Sequence, residues 1–372
     1  HPMSDLATEP RWARNFGTFG SNAALSNDMT ISYMKGFQGN KINNQSVLTM
    51  VKHFPGGGPQ EKGLDPHLFS GKNQIYPGNN FNYHLVPFKG AIKNNLKVIM
   101  PYYGIPVSQT NEDVAMAYNK YILTNLLREE LGFKGVICSD WGIITGRHWG
   151  VSSLSISERY EKSINAGIDQ YGGESDTSFL LELVKDKKIS VGRINESVKR
   201  ILINKFELGL FDNPYVDESE VKYKVNSKEN IEAGLGAQRK SLVLLENDGV
   251  LPLKKNTKIF IDGLDVKVGE KFGDVVNKPS EADVVVMYIH TVFNGNQESG
   301  LNRVFDNFLS KLFPNGDLNF NDAIKTKIKN YSKNKKLIIV VDLNRPAILD
   351  DIKKSSAALI GTFGVLDEII FE

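Results

Sequence analysis

Short apolar runs separated by amphipathic stretches recur along the chain, and their spacing sets the expected elements. Runs at 47–51, 97–100, 135–138 and 167–171, with a weaker one at 3–6, predict strands. Between them, apolar positions return at helical spacing over 23–34, 83–93, 111–131, 154–165 and 179–185. A further helix is expected at 195–208, where Val198, Ile201, Leu202, Ile203 and Phe206 mark one broad face. Strands rich in β-branched residues that alternate with helices predict a parallel sheet. Five strands are too few to close an eight-strand barrel, so a barrel here lacks its start.

The pattern breaks at Phe211-Asp212-Asn213-Pro214, a turn-rich helix exit, and 222–230 is polar and linker-like. A helix is expected from about Ile231 onward, leading into 241–245. Strands are then expected at 258–261, 283–289, 337–342 and 357–360, with helices at 322–330 and 347–354. This second α/β unit has the pattern of a doubly wound sheet.

Composition narrows the function classes. The 372 residues carry 45 Lys+Arg against 43 Asp+Glu, a net charge of +2, which leaves no electrostatic footprint for nucleic acid or an acidic membrane. No apolar run approaches the roughly 20 residues that span a bilayer. One cysteine excludes an intrachain disulfide framework and a Cys-based zinc site. The His1-Pro2 start reads as a processed, trimmed or incomplete N-terminus.

Several strand ends carry chemistry. Gly135-Val136-Ile137-Cys138-Ser139-Asp140-Trp141 is a buried strand ending in a carboxylate and an indole. Strand C-termini face the ligand crevice in parallel α/β folds, so Asp140 suits a nucleophile or base and Trp141 a sugar platform. A helix-capping Asp is the competing reading. Lys52-His53-Phe54-Pro55-Gly56-Gly57-Gly58 places two donors before a glycine-rich loop, yet lacks the Gly-Lys-[Ser/Thr] ending of a phosphate loop. Asp65-Pro66-His67 has the spacing of a general acid with its orienting carboxylate, against the preferred reading of a solvated loop pair. Arg14, in Arg11-Trp12-Ala13-Arg14, suits a hydroxyl clamp or a helix-start ion pair. Met100 and Tyr103, in Met100-Pro101-Tyr102-Tyr103, line a pocket or plug a barrel top. Cys138 is expected to be a structural thiol.

In this order, these segments resemble glycoside hydrolase family 3, the β-glucosidase and exo-β-glucanase family. The resemblance rests on 5–14, Lys52-His53-Phe54-Pro55-Gly56, Met100-Pro101-Tyr102-Tyr103-Gly104, Ser139-Asp140-Trp141, Ala166-Gly167-Ile168-Asp169, 205–211 and 238–247. It implies an incomplete (β/α)8, TIM-like barrel over 1–213, a linker over 214–235 and an α/β sandwich with a mostly parallel sheet over 236–372. It also implies a retaining, exo-acting β-glucosidase that needs no metal or organic cofactor. Asp140 matches the nucleophile, Lys52, His53 and Arg14 the sugar-binding residues, and Met100, Tyr103 and Trp141 the pocket walls. Glu298 is the candidate general acid, although Asn315-Gly316-Asp317-Leu318 resembles a subgroup stretch with Glu where Asn315 stands. Two other readings stand beside this one: a β-N-acetylglucosaminidase using Asp65 and His67, and a weak or inactive homologue serving as a carbohydrate-binding or structural subunit. The expected partner is an oligosaccharide or β-glucoside, a homodimer stays open, and the family favours a periplasmic or extracellular setting. The chain lacks the barrel segment that precedes Asp5 in relatives and stops where they continue, so it reads as part of a longer protein.

Overall fold

The computed structural model describes residues 1–293, 308 and 310–372. The chain forms two compact units, His1–Tyr215 with Asn296–Asn315, and Val216–Gly295 with Gly316–Glu372. Asn296–Asn315 thus counts with the first unit, although its sequence follows a strand of the second.

The first unit holds a four-stranded parallel sheet in the order β1 (Met50–Phe54), β2 (Val98–Pro101), β3 (Val136–Trp141) and β4 (Gln170–Gly172). The N-terminal segment lies beside β1, with Met3 bridging Lys52 and the Ser4 N–H donating to the Lys52 carbonyl at 2.6 Å. β1 begins three residues later than the expected run, because the side chains of 47 and 48 lie outside the ladder and Thr49 is tied to Gln38 Oε1. The same unit holds helices α1 (Ala23–Gln38), α2 (Val86–Lys93), α3 (Tyr121–Glu130, wound as a π-helix), α4 (Ile156–Ala166), α5 (Ser178–Lys185) and α6 (Val191–Glu207). Their starts follow local capping chemistry. Asn22 accepts from Leu25 N–H, Ser190 from Arg193 N–H, and Ser155 with Glu158 forms a reciprocal capping box.

Two expected helices differ. The one anticipated over 111–131 is regular only from Tyr121. Asn119 spends its amide on Thr110 Oγ1 and the Glu112 carbonyl and its oxygen on Ile122 N–H, which folds the preceding residues into turns. The apolar face anticipated on α6 is largely exposed at Val198, Leu202, Ile203 and Phe206. That helix docks instead through polar groups, with Ser197 and Asn204 as its buried residues.

The docking point is Asp169, whose side chain is fully buried between α4 and β4. Its carboxylate receives Arg128 at 2.6 Å, Arg200 at 2.7 Å and Ser197 at 2.7 Å, while Arg193 sits 3.5 Å away and also binds the Ile168 carbonyl. Arg128 further donates to the carbonyls of Phe133 and Gly135 at the entry to β3. One carboxylate therefore pins α3, α6 and the starts of β3 and β4 at the end of the sheet opposite the strand C-termini.

In the second unit a six-stranded sheet runs β5 (Val243–Asn247), β10 (Ala358–Thr362), β9 (Lys336–Asp342), β8 (Val284–His290), β6 (Lys258–Asp262), β7 (Asp274–Val275). All pairs are parallel except β10 with β5. Strands β8 and β9 are buried almost end to end, as strands covered on both faces must be. This unit also holds helices α7 (Lys228–Ser241) and α8 (Asp322–Ser332) and short helices at Val266–Gly269, Asp350–Lys353 and Asp367–Phe371, the one expected over 347–354 forming only over Asp350–Lys353. Among the described residues no helix is long and apolar enough to cross a membrane.

Removing the Asp169 carboxylate strands three guanidinium groups that are mostly buried. Asp169→Ala should lower unfolding free energy by about 3–5 kcal/mol, measured by urea denaturation. A loss below about 1 kcal/mol, the usual worth of an exposed pair, would contradict the pinning role.

Candidate active site

In a parallel sheet the strand C-termini share one edge, so the loops leaving β1, β2 and β3 meet there. Asp140 ends the buried part of β3 at 9% exposure. Its Oδ1 accepts from the Tyr103 hydroxyl at 2.8 Å and from the Trp141 N–H at 2.8 Å. The other oxygen, Oδ2, lies 3.8 Å from His53 Nε2, beyond hydrogen-bond reach. The carboxylate is thus fixed by one oxygen, while the second accepts no hydrogen bond among the described residues. Burial, reinforced by the Asp140 charge, pushes the Tyr103 hydroxyl well above its usual value, so it remains a donor.

His53 is buried and oriented from behind. Its Nδ1 is 2.8 Å from Asp5 Oδ2, and Arg14 Nη2 is 3.4 Å from its Nε2. A guanidinium only donates, so Nε2 is the acceptor and Nδ1 carries the proton given to Asp5. Burial, aided by the Arg14 charge, lowers the His53 pKa, with Asp5 opposing only in part. Asp5 has no exposed side-chain surface. Burial acts to raise its pKa, and His53, the Gly57 N–H and Arg14 together hold it below the usual 3.8. Its Oδ1 also takes the His53 N–H at 3.2 Å and the Gly57 N–H.

This explains the glycines. A Cβ on Gly58 would stand 1.6 Å from the Leu6 carbonyl oxygen, and one on Gly57 2.8 Å from Asp5 Oδ1. They let the loop close onto the Asp5 segment, and that packing, not a phosphate, accounts for them. Lys52 is half-buried at the end of β1. Burial and then the Arg14 charge lower its ammonium pKa, while Asp140 and Asp5 pull it upward.

Asp65 and His67 are not the solvated pair favoured from the sequence. Asp65 is buried, with Oδ1 receiving the His67 N–H at 3.0 Å and His67 Nδ1 at 2.6 Å. Its Oδ2 receives Trp12 Nε1 at 2.8 Å and the Tyr102 hydroxyl at 3.3 Å. Burial works to raise the Asp65 pKa, but the His67 contacts and the Arg14 charge hold it well below the usual carboxylate range. The His67 ring meets Tyr103 edge-on at 4.8 Å. Arg14 Nη1 donates to the Tyr102 hydroxyl at 3.1 Å, so it links the Asp5–His53 and Asp65–His67 pairs.

Met100 is buried, in register with Lys52 on β1. Trp141 is 53% exposed, its indole seated on Gly172 and Gly173, where a Cβ would come within 2.7 and 2.5 Å of the ring. Cys138 is buried, and burial raises its thiol to about 11, as a structural thiol requires. Glu298 lies outside the described residues. Gly316 and Asp317, next to Asn315 in sequence, are held in the second unit by Arg345, which donates to both carbonyls. Among the described residues no cluster of His, Cys, Asp and Glu has the makings of a metal site.

Asp5 and Arg147 escaped the sequence reading. Asp5 stood inside a recognised stretch but offered no sign of its partners. Arg147 lies 5.1 Å from the Tyr103 ring and donates to the Trp141 carbonyl at 3.3 Å, a placement that only the loop after β3 sets.

Residues 1–203 match the model of the glycosyl hydrolase family 3 N terminal domain. The chain belongs to glycoside hydrolase family 3. It is 40% identical over 383 residues to β-glucosidase C of Emericella nidulans, covering 98% of this chain and 60% of that protein. It is 34% identical over 396 residues to the periplasmic β-glucosidase/β-xylosidase of Dickeya chrysanthemi, covering 99% and 60%. The chain therefore spans about 60% of the length of these curated relatives. Its fold superposes on a crystal structure of β-glucosidase from Listeria innocua in complex with isofagomine with a TM-score of 0.81, at 21% identity, over 100% of this chain and 56% of that one. Family membership, read first from ordered motifs, thus stands on a match through most of the first unit and on relatives matching nearly the whole chain.

The protonation pattern has a stability consequence. A buried His53 held neutral binds no proton near its usual 6.5, whereas the unfolded chain does. Stability therefore declines as pH falls below about 6.5. Buried His84, lowered to about 4, adds a slope of the same sign. Asp5, depressed below 3.8, contributes stability that is lost only as pH falls further, through its folded value. In urea melts between about pH 7 and 5, His53→Gln should flatten the slope without abolishing it. An unchanged or steeper slope would show that His53 is protonated in the folded protein.

Proposed function

We propose that this family 3 protein is a retaining, exo-acting β-glycosidase, with terminal β-D-glucosyl residues as its principal substrate. The observation that carries the reading is the asymmetric hold on Asp140: Oδ1 is tied by two donors and Oδ2 is left for attack. In this reading Oδ2 bonds to the anomeric carbon, the aglycone oxygen leaves with a proton, and water then attacks the glycosyl ester. Arg14, Lys52 and His53 bind sugar hydroxyls, Met100 and Tyr103 wall the pocket, and half-exposed Trp141 stacks on sugar. The glucosidase and xylosidase names of the two relatives support the sugar class, and neither relative is named as an N-acetylglucosaminidase. The Dickeya relative's name supports a periplasmic setting. The parallel sheet of the first unit is read as an arc of a (β/α)8 barrel over 1–213. A linker over 214–235 then joins it to an α/β sandwich over 236–372.

Two groups compete to protonate the aglycone. Glu298 fits the family position. His67 is favoured by an observation of its own: Asp65 orients it, and it touches the tyrosine that holds Asp140.

Asp140→Ala should lower kcat on nitrophenyl β-glucoside at least about a thousandfold, as loss of a nucleophile does, with the fold intact by circular dichroism. A loss under tenfold would remove Asp140 from the chemistry. Replacement of the true donor, by Glu298→Gln or His67→Ala, should slow cellobiose far more than the nitrophenyl substrate, whose leaving group needs little acid assistance. Added azide should restore turnover in that variant alone. If neither variant shows this split, both donor assignments fail.

A further inference from the structure

Phe313 comes from Asn296–Asn315, the stretch that counts with the first unit although it follows β8 of the second. Its ring stacks on the His67 imidazole with centroids 4.2 Å apart and planes 16° apart. The same ring lies 6.0 Å from the Arg14 guanidinium. Neither Phe313 nor this contact has a counterpart in the motifs read from the sequence.

The geometry shows what the stack adds. Asp65 fixes one edge of His67 by taking both its backbone N–H and its Nδ1 on a single oxygen. That leaves the ring free to tilt about the Nδ1 contact, and a tilt would swing Nε2 away. Tyr103 meets the ring edge-on at 4.8 Å with an interplanar angle of 74°. Phe313 stacks on its face. Among the described residues His67 Nε2 makes no hydrogen bond, so it is the nitrogen left to meet an incoming group. Two aromatic contacts restrain the tilt of the ring and with it the direction of that nitrogen, and a phenyl face also steadies an imidazolium formed beside it.

We infer that Phe313 is a positioning residue that aims the His67 imidazole into the Asp140 site. This rests on the reading of the first unit as a glycosidase site, and it gives His67 a working role there whether as proton donor or as a contact to the aglycone.

The test is a double-mutant cycle in the full protein, with kcat and KM measured on nitrophenyl β-glucoside and on cellobiose. Phe313→Ala should reduce kcat/KM on cellobiose by about threefold to tenfold, the worth of one aromatic pair. Most of that loss should fall in kcat. Phe313→Tyr and Phe313→Trp should restore activity, and Phe313→Leu, which keeps apolar volume without a stacking face, should not. In a His67→Ala background the Phe313→Ala change should have no further effect, since its partner is gone. A Phe313→Ala loss that persists undiminished without His67 would overturn the inference, as would a His67→Ala variant with wild-type kinetics. Rescue by Leu would also overturn it, because packing alone would then suffice. Asp140→Ala, assayed alongside, separates the two claims: if it retains activity, the glycosidase reading has failed. If it is inactive while Phe313→Ala matches the wild type, only the positioning role has failed.

Discussion

A carboxylate with no solvent contact is the constraint around which the site is arranged. Asp5 stays ionised inside the protein only if donors replace the water it loses, and three do so: the His53 and Gly57 N–H groups and the His53 ring. Each donor comes from the end of β1 or the loop after it. Burying Asp5 therefore forces the N-terminal segment, β1 and the glycine loop together, and leaves no room for any residue but glycine at 58. The same bond sets the His53 tautomer, which turns Nε2 toward Arg14 and Asp140.

Asp65 repeats the arrangement on the far side of Arg14. It too is buried and held by donors from separate parts of the chain, Trp12, Tyr102 and His67. Arg14 faces both acids. Burial acts to lower its pKa, and Tyr102, Asp65 and Asp5 together raise it, so its charge is fixed. The result is two carboxylate–imidazole pairs sharing one cation, with Asp140 reached from His53 on one side and through Tyr103 on the other. Few groups in such an array can move independently, which is what the proposed attack by Asp140 Oδ2 requires.

What the sequence revealed follows from which forces are local. Buried β-branched runs marked β2, β3, β8 and β9 closely, because a strand covered on both faces writes its burial into consecutive residues. The position of Asp140 and Trp141 at the end of β3 was legible because a strand end is a local event. The edge of β1 was not, since it depends on Thr49 bonding to Gln38 in a distant helix. The α6 face misled for a related reason: helical periodicity predicts an apolar contact, but Asp169 supplied a stronger polar one. Asp65-Pro66-His67 was visible as a pair, yet its burial depends on Trp12 and Tyr102, which nothing near residue 65 announces. Phe313 was invisible, since its partner lies in another stretch of the chain altogether.

The central claim is that Asp140 Oδ2 forms the bond to sugar. The most direct measurement is to incubate the protein with a 2-deoxy-2-fluoro-β-glucoside bearing a good leaving group, digest it, and locate the adduct by mass spectrometry. The fluorine slows hydrolysis of the glycosyl ester enough for it to accumulate. The account predicts one fluoroglucosyl adduct per chain, on the peptide containing Asp140, and none in Asp140→Ala. An adduct on a different carboxylate, or none in a protein that turns over the unfluorinated substrate, would contradict it.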